Sequence, residues 1–305
     1  MGRGSYTAGD WAKLKNSRGL VKNTPVENLF TGKRANPAYD SRLAGVREAR
    51  DSVDSPRSTP VILGFDVTAS MGYLAKELAV NSLHQTITTL LARKPISNPQ
   101  ILCAAIGDVR SDQSPLQVTQ FESDIRMVSQ LTDLWLEGGG GGNGGESYNL
   151  LWYFAARHTQ TDCYEKRRAK GYLFTIGDDA CHEGLRPAEI RRAFGDTVEY
   201  PLSNAELLRM AAEKYEVFHI HIETGGSRSD QVFADWQRLL PGHCTRITRS
   251  KIGSLAELIP AAIAVAAGFA PNEVLKGMDQ RDAEAIAESL ALIEARTTRT
   301  DEISF

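Results

Sequence analysis

Short apolar runs alternate with stretches of helical periodicity along most of the chain. VILGFDV (61–67) is continuously apolar and ends in a carboxylate, the pattern of a strand buried on both faces of a parallel sheet. Residues 72–93 follow with Leu74, Leu78, Leu83, Ile87, Leu90 and Leu91 at helical spacing, closed by Lys94 and Pro95. ILCAAIGDV (101–109) reads as a second strand and LQVTQF (116–121) as a shorter one, joined closely enough to suggest a hairpin at a sheet edge. A helix is predicted over 123–136 with Ser123 as its N-cap, then a glycine loop at 138–145 and a helix over 146–169. Strand GYLFTIG (171–177), helical stretches at 187–194 and 203–214, strand EVFHIHI (216–222), a helix at 229–239, strand CTRIT (244–248) and helices at 254–268 and 280–296 complete the pattern. Six strands alternating with helices predict a doubly wound, Rossmann-like α/β fold, with helices on both faces of a mostly parallel six-stranded sheet.

Residues 1–58 break this pattern, with few apolar clusters and the breakers Gly19, Pro25, Gly32, Pro37 and Pro56; they read as an arm with short helical pieces around 40–50. The arm holds 11 of the 35 Lys and Arg but only 6 of the 38 Asp and Glu, so it is basic against an acidic remainder. Interleaved with Gly, Ser and Asn, these charges suit a solvated arm wrapped on the body, with a partner-binding arm as the rival reading. The division expected is therefore a basic arm (1–58), a central α/β domain (59–270) and a helical C-terminal extension (271–305). With 305 residues, 42% of them hydrophobic and 24% charged, the chain is ordinary globular protein, and its net charge of −3 argues against general nucleic-acid binding. No long uncharged apolar run and no apolar leader is present, so the expectation is a cytoplasmic protein without membrane insertion. Cys103, Cys163, Cys181 and Cys244 are far apart and read as free, buried thiols.

In such sheets ligands bind where loops converge at the carboxyl ends of the strands. Two predicted strands end in acids there, Asp66 after the first and Asp178 with Asp179 after GYLFTIG. Asp66, Thr68 and Ser70 stand at alternate positions of one strand-to-helix loop, so a carboxylate and two hydroxyls can point into one space. Such hard oxygens suit Mg2+ or Mn2+ before zinc. Capping of the following helix is the plainer role for Thr68 and Ser70, and a turn acid the plainer one for Asp178 and Asp179. The glycine loop follows a helical pattern where a dinucleotide fingerprint would follow a strand, and there is no GxxxxGK[ST]. A phosphatase of haloacid-dehalogenase-like type would also set Asp66 beside Gly177, Asp178 and Asp179 around Mg2+, but needs an acid where Thr68 stands. His219 and His221 read as core histidines, the Cys181–His182 pair as loop residues, and Trp135, Trp152, Tyr153 and Phe154 as core.

DVTASM matches the DxSxS pattern of the von Willebrand factor A domain, with Thr for the first Ser. With the glycine loop before the third helix and the acid in FTIGDD, the chain resembles that family over about residues 58–270. It is most similar to intracellular members linked to α-kinases, in DxTxSM, in Gly107–Asp108 and in GGNGGE. The resemblance implies a metal-ion-dependent adhesion site (MIDAS), with Asp66, Thr68, Ser70 and Asp178 around Mg2+ or Mn2+ and an open position for a partner's Asp or Glu. The family's third-loop Thr has no counterpart, so Asn143 or Ser147 would supply that oxygen, with Asp108, Glu146 and Asp179 as outer acids. It implies a non-enzymatic adaptor whose protein partners are of the AAA+ ATPase, kinase or phosphatase kind. An RNA-associated role, as in Ro-type members, would fall to the basic arm. Self-assembly through Asp301 or Glu302 on a neighbour's metal is a further expectation.

Overall fold

The computed structural model describes residues 6–68, 71–138 and 145–294. Helix α1 (Ala8–Arg18) begins where the Thr7 hydroxyl accepts the Asp10 amide at 3.1 Å, and it ends at Gly19, whose φ of 61° favours a residue without Cβ. From its inner face Trp11 stacks on His84, ring centroids 4.4 Å apart. Leu20, Phe30 and, from the short α2 (Val26–Leu29), Leu29 join the same core. Where helical pieces were expected around 40–50, the structure has β1 (Arg47–Ala49), paired in parallel with residues 159–161. A partner more than a hundred residues away decides this, and local periodicity carries no sign of it.

The second strand, β2 (Thr59–Asp66), is buried at every position, as its unbroken apolar run demands. The helix expected over 72–93 forms in two parts, α3 (Gly72–Glu77) and α4 (Leu83–Arg93), joined by a π-helical turn at 78–82. Glu77 sits at this junction and accepts from Ser82 Oγ at 2.9 Å and Asn81 Nδ2 at 3.2 Å. Then come β3 (Pro99–Ile106), β4 (Leu116–Val118) and α5 (Arg126–Thr132). α5 is shorter than the predicted 123–136. At its start Asp124, not Ser123, accepts the Arg126 amide at 3.0 Å, and at its end Gln117 binds both N–H and C=O of Trp135, holding that residue beside β4. The helix predicted over 146–169 is likewise divided, into α6 (Tyr148–Arg157), β5 (Thr159–Thr161) and α7 (Asp162–Arg167), because β1 claims the middle segment.

The predicted elements that remain appear in order, with a short antiparallel pair β7–β8 that the sequence did not predict: β6 (Gly171–Gly177), β7 (Gly184–Leu185), α8 (Pro187–Phe194), β8 (Leu202–Ser203), α9 (Asn204–Ala212), β9 (Tyr215–Glu223), α10 (Gly226–Leu239) and β10 (Cys244–Thr248). A 3-10 turn over 249–254 leads to α11 (Leu255–Ala266), α12 (Pro271–Lys276) and α13 (Gln280–Leu290). The central sheet has the order β10-β9-β6-β2-β3-β4, all parallel except β4. It is the doubly wound α/β fold expected from the sequence. One hydrophobic cluster, with α3, α4, α5, α11 and the arm, covers one face; a second, with α6, α8, α9 and α10, covers the other. The four cysteines are free, Cys181 only partly buried. No described helix is long and apolar enough to cross a membrane.

Both edges of this sheet are covered. At β4, the Val118 amide donates to Tyr39 O at 2.7 Å and the Ser41 amide to Leu116 O at 3.1 Å. At β10, Thr245 Oγ1 donates to Ser289 O at 2.5 Å, Ser289 Oγ to Arg246 O at 2.6 Å, and the Glu294 amide to Gly242 O at 2.9 Å. Covered edges give a foreign strand little to pair with.

Three of the arm's eleven basic side chains are used internally. Buried Arg47 donates to Val118 O at 3.0 Å and to Ala38 O; Arg50 binds Asp162 and Glu165; Arg18 binds Asp133. Asp51 receives Arg167 Nη1 at 2.6 Å and both donors of Ser58 at 2.9 Å, and Arg167 chiefly holds its carboxyl down at about 2. A carboxyl depressed in the folded state stabilises it above the unfolded pKa, and the contribution disappears as pH falls from about 4 to 2. Asp51→Asn is expected to cost about 1 kcal/mol at pH 7 and clearly less at pH 3 in urea unfolding. An equal cost at both pH values would contradict this assignment.

Candidate metal centre

The chain turns in opposite directions from β2: β3 and β4 lie on one side, β6, β9 and β10 on the other. The crevice at this switch point is where open α/β sheets bind ligands. Asp66 closes β2 there, fully buried. Its Oδ1 accepts both the Thr68 amide and the Thr68 hydroxyl at 2.7 Å, and its Oδ2 accepts the Tyr148 hydroxyl at 3.1 Å. Tyr148 reaches it only because residue 177 is glycine: a Cβ there would stand 1.9 Å from the Tyr148 hydroxyl oxygen. Gly177→Ala is therefore expected to displace Tyr148 and cost about 2–3 kcal/mol in chemical denaturation, with altered near-UV circular dichroism. A loss under about 0.5 kcal/mol, the range of a neutral surface change, would contradict the tight fit.

Asp108 follows β3, fully buried. His182 Nε2 lies 2.9 Å from its Oδ1, Ser147 Oγ donates to the same oxygen at 3.2 Å, and the Arg110 amide donates at 3.0 Å. Asp112, also buried, accepts the Asp108 amide at 2.8 Å. Ser147 further accepts the Val109 amide at 2.9 Å, so its hydroxyl ties the start of α6 to the loop after β3. Beside it, the Glu146 amide donates to Ala180 O at 2.8 Å and Glu146 O accepts the His182 amide at 3.1 Å, pinning the end of the glycine loop to the loop after β6. The Glu146 carboxyl is buried, and its Oε2 has no hydrogen-bond partner among the described residues.

The two acids after β6 differ in environment. Asp179 Oδ1 accepts Arg228 Nη2 at 3.0 Å and the Ala180 amide at 2.8 Å, while its carbonyl accepts Trp236 Nε1 at 3.0 Å. Asp178 forms no ion pair among the described residues and acts electrostatically on Asp66. Ser70 and Asn143, expected as ligands, lie outside the described residues, as do Asp301 and Glu302.

Burial raises the Asp66 carboxyl to about 7, with Asp178 adding to the rise and the Thr68 and Tyr148 donors opposing it. Burial also raises Glu146 to about 9, reinforced by Asp66, Asp108, Asp112 and Asp179. Asp178 is raised by burial and by Asp179. Acids that are buried or half-buried and repel one another, with no Lys or Arg ion-paired to Asp66, Glu146 or Asp178 among the described residues, form a set that a small hard cation would neutralise. The donors are all oxygens, and the orphaned Glu146 oxygen is one such donor, so the set fits Mg2+ or Mn2+. No group of three described His, Cys, Asp or Glu side chains forms a preassembled cage of its own. Such a site would instead draw on hydroxyls and water.

Tyr148, Asp112 and the clasp of His182 on Asp108 were not read from sequence. Asp112 four residues after Asp108 was the one local signal; Tyr148 and His182 gain their roles only through tertiary contact. His219 and His221 are core residues as expected. His219 stacks on Trp236 at 3.5 Å and pairs with Thr175, and His221 pairs with Ser229. Trp152, Tyr153 and Phe154 are buried, and Trp135 is half-buried.

No family model matches the chain, and no curated protein matches it. Solved structures do. The open conformation of the pilus adhesin SpaC from Lactobacillus rhamnosus GG is similar at 7% identity and a TM-score of 0.46, over 72% of this chain and 31% of its own. A von Willebrand factor type A structure from Catenulispora acidiphila is similar at 12% identity and 0.39, over 69% and 43%. Proximal thread matrix protein 1 from the mussel byssus, with a zinc-occupied MIDAS motif, is similar at 11% identity and 0.42, over 71% and 48%. This chain thus spans less than half the length of each. Its own sheet order, with β4 antiparallel and Asp66 at the carboxyl end of β2, is that of a doubly wound, Rossmann-like α/β fold.

Proposed function

We propose that the chain is a metal-dependent protein-binding module, whose Mg2+ or Mn2+ site at the end of β2 accepts a carboxylate from a partner protein. The observation that carries this is the convergence of buried Asp66, Thr68 and Glu146 with half-buried Asp178 at the topological switch point, with no basic side chain paired to the three acids among the described residues. In this reading Asp66, Thr68 and Asp178 hold the cation directly or through water, with Ser70 and Asn143 completing the set. Asp108, Glu146, Ser147 and Asp179 act around it. Bound there, the cation supplies an incompletely neutralised positive charge that an acidic side chain of the partner can complete.

Thr68 supports binding over phosphatase chemistry, because a general acid would be needed where its hydroxyl already donates to Asp66. The internal pairing of Arg18, Arg47 and Arg50 disfavours the arm as an RNA-binding surface. An adaptor role in the cytoplasm, beside an AAA+ ATPase, kinase or phosphatase, is the setting that the α-kinase-linked resemblance suggests. The test is metal-dependent stabilisation in the wild type and its loss in Asp66→Asn; no metal response in the wild type would reduce Thr68 to a turn residue.

A further inference from the structure

Arg249 opens the 3-10 turn directly after β10, and it is exposed on the edge that carries the acids. Its guanidinium carbon lies 3.9 Å from the centroid of the Tyr73 ring, and it makes no ion pair among the described residues. Other arginines around this edge are committed, Arg228 to Asp179 and Arg110 to Glu189. Tyr73 is the second residue of α3, just beyond the Asp66–Ser70 loop, and its hydroxyl is buried without a hydrogen-bond partner among the described residues. A guanidinium lying on an aromatic face is held in place while its N–H groups remain available, which lowers the entropy lost on binding an anion. Its field reaches Asp178. Thus a held cation with no ion pair among the described residues stands on the edge that carries the proposed metal position.

We infer that Arg249, seated on Tyr73, forms a second anion subsite beside the metal, and that the favoured partner presents two neighbouring carboxylates in an acidic peptide segment. The inference rests on the metal reading above: one acid completes the cation, and an acid next to it in sequence meets the guanidinium fork. A carboxylate matches that fork with two parallel hydrogen bonds.

The test is NMR titration of the full chain, at saturating Mg2+ and again with EDTA, using two blocked tetrapeptides, Gly-Asp-Gly-Gly and Gly-Asp-Glu-Gly. The two-acid peptide is expected to bind the wild type about fivefold to tenfold more tightly than the one-acid peptide, as one added charge-assisted pair would give. In Arg249→Gln the ratio should fall to near one. In Arg249→Lys part of it should remain, because the charge is kept while the flat fork is lost. Equal Mg2+-dependent affinities for both peptides in the wild type, or a ratio that survives Arg249→Gln, would overturn the subsite and leave the metal reading standing. A Gly-Asp-phosphoserine-Gly peptide binding more tightly still would overturn the choice of a second carboxylate. Binding of neither peptide, with or without Mg2+, would overturn the metal reading and the subsite with it.

Discussion

A chain lacking residues 1–58 is expected to accumulate as insoluble or dye-binding material without a cooperative unfolding transition. The arm places Trp11, Leu20, Leu29 and Phe30 in the core that lies against α3 and α4. Fully burying side chains of this size stabilises by about 1.5–3 kcal/mol each, so their loss removes about 6–12 kcal/mol. Native domains have only about 5–15 kcal/mol in total. Deletion also removes Tyr39 and Ser41 from β4 and Arg47–Ala49 from β5, baring a sheet edge open to intermolecular pairing. Melting followed by circular dichroism, with gel filtration, checks this. A soluble monomer melting within a few degrees of the full chain would show the arm to be an accessory.

Saturating Mg2+ or Mn2+ is expected to raise the wild-type melting temperature by about 5 °C or more at pH 7. Ligand at a hundred times its dissociation constant stabilises by about 2.7 kcal/mol, and in chains of this size each kcal/mol shifts the midpoint by about 2–4 °C. Asp66→Asn should lose this response. Without metal the same variant should be at least as stable as the wild type, because it removes a fully buried carboxylate that its acidic neighbours disfavour. Its amide oxygen still accepts from Thr68, and its NH2 can donate to the Tyr148 hydroxyl oxygen, which accepts as well as donates. This pairing of outcomes separates a ligand from a structural acid. A purely structural Asp66, held by Thr68 and Tyr148 alone, would destabilise the metal-free protein on replacement and leave any metal effect intact.

Four of the six strands, β2, β3, β6 and β9, were legible because they are parallel and almost wholly buried, so each stands out as an apolar run regardless of its neighbours, while the edge strand β10 exposes Arg246 and Thr248. Asp66 and Thr68 were legible for a similar reason, since a strand end and two residues beyond it are local in sequence. Long-range contacts set the rest. Residues 146–169 look helical throughout, yet pairing with 47–49 converts 159–161 into a strand. Residues 8–30 look like a solvated arm because their few apolar side chains are scattered, and only the folded chain shows them facing one core. Within the site, the sequence ranks Asp178 before Asp179 only by the resemblance, and Arg228, about fifty residues on, separates them physically by taking Asp179. Tyr148 resembled any other core aromatic until Gly177 opened its path to Asp66.

Calorimetric titration of the purified full chain with Mg2+ at pH 7, run in parallel on wild type and Asp66→Asn, tests the central claim most directly. One bound equivalent in the wild type, with none in the variant, is the predicted result. No heat of binding in the wild type, or the same isotherm in both proteins, would contradict a cation held at the end of β2.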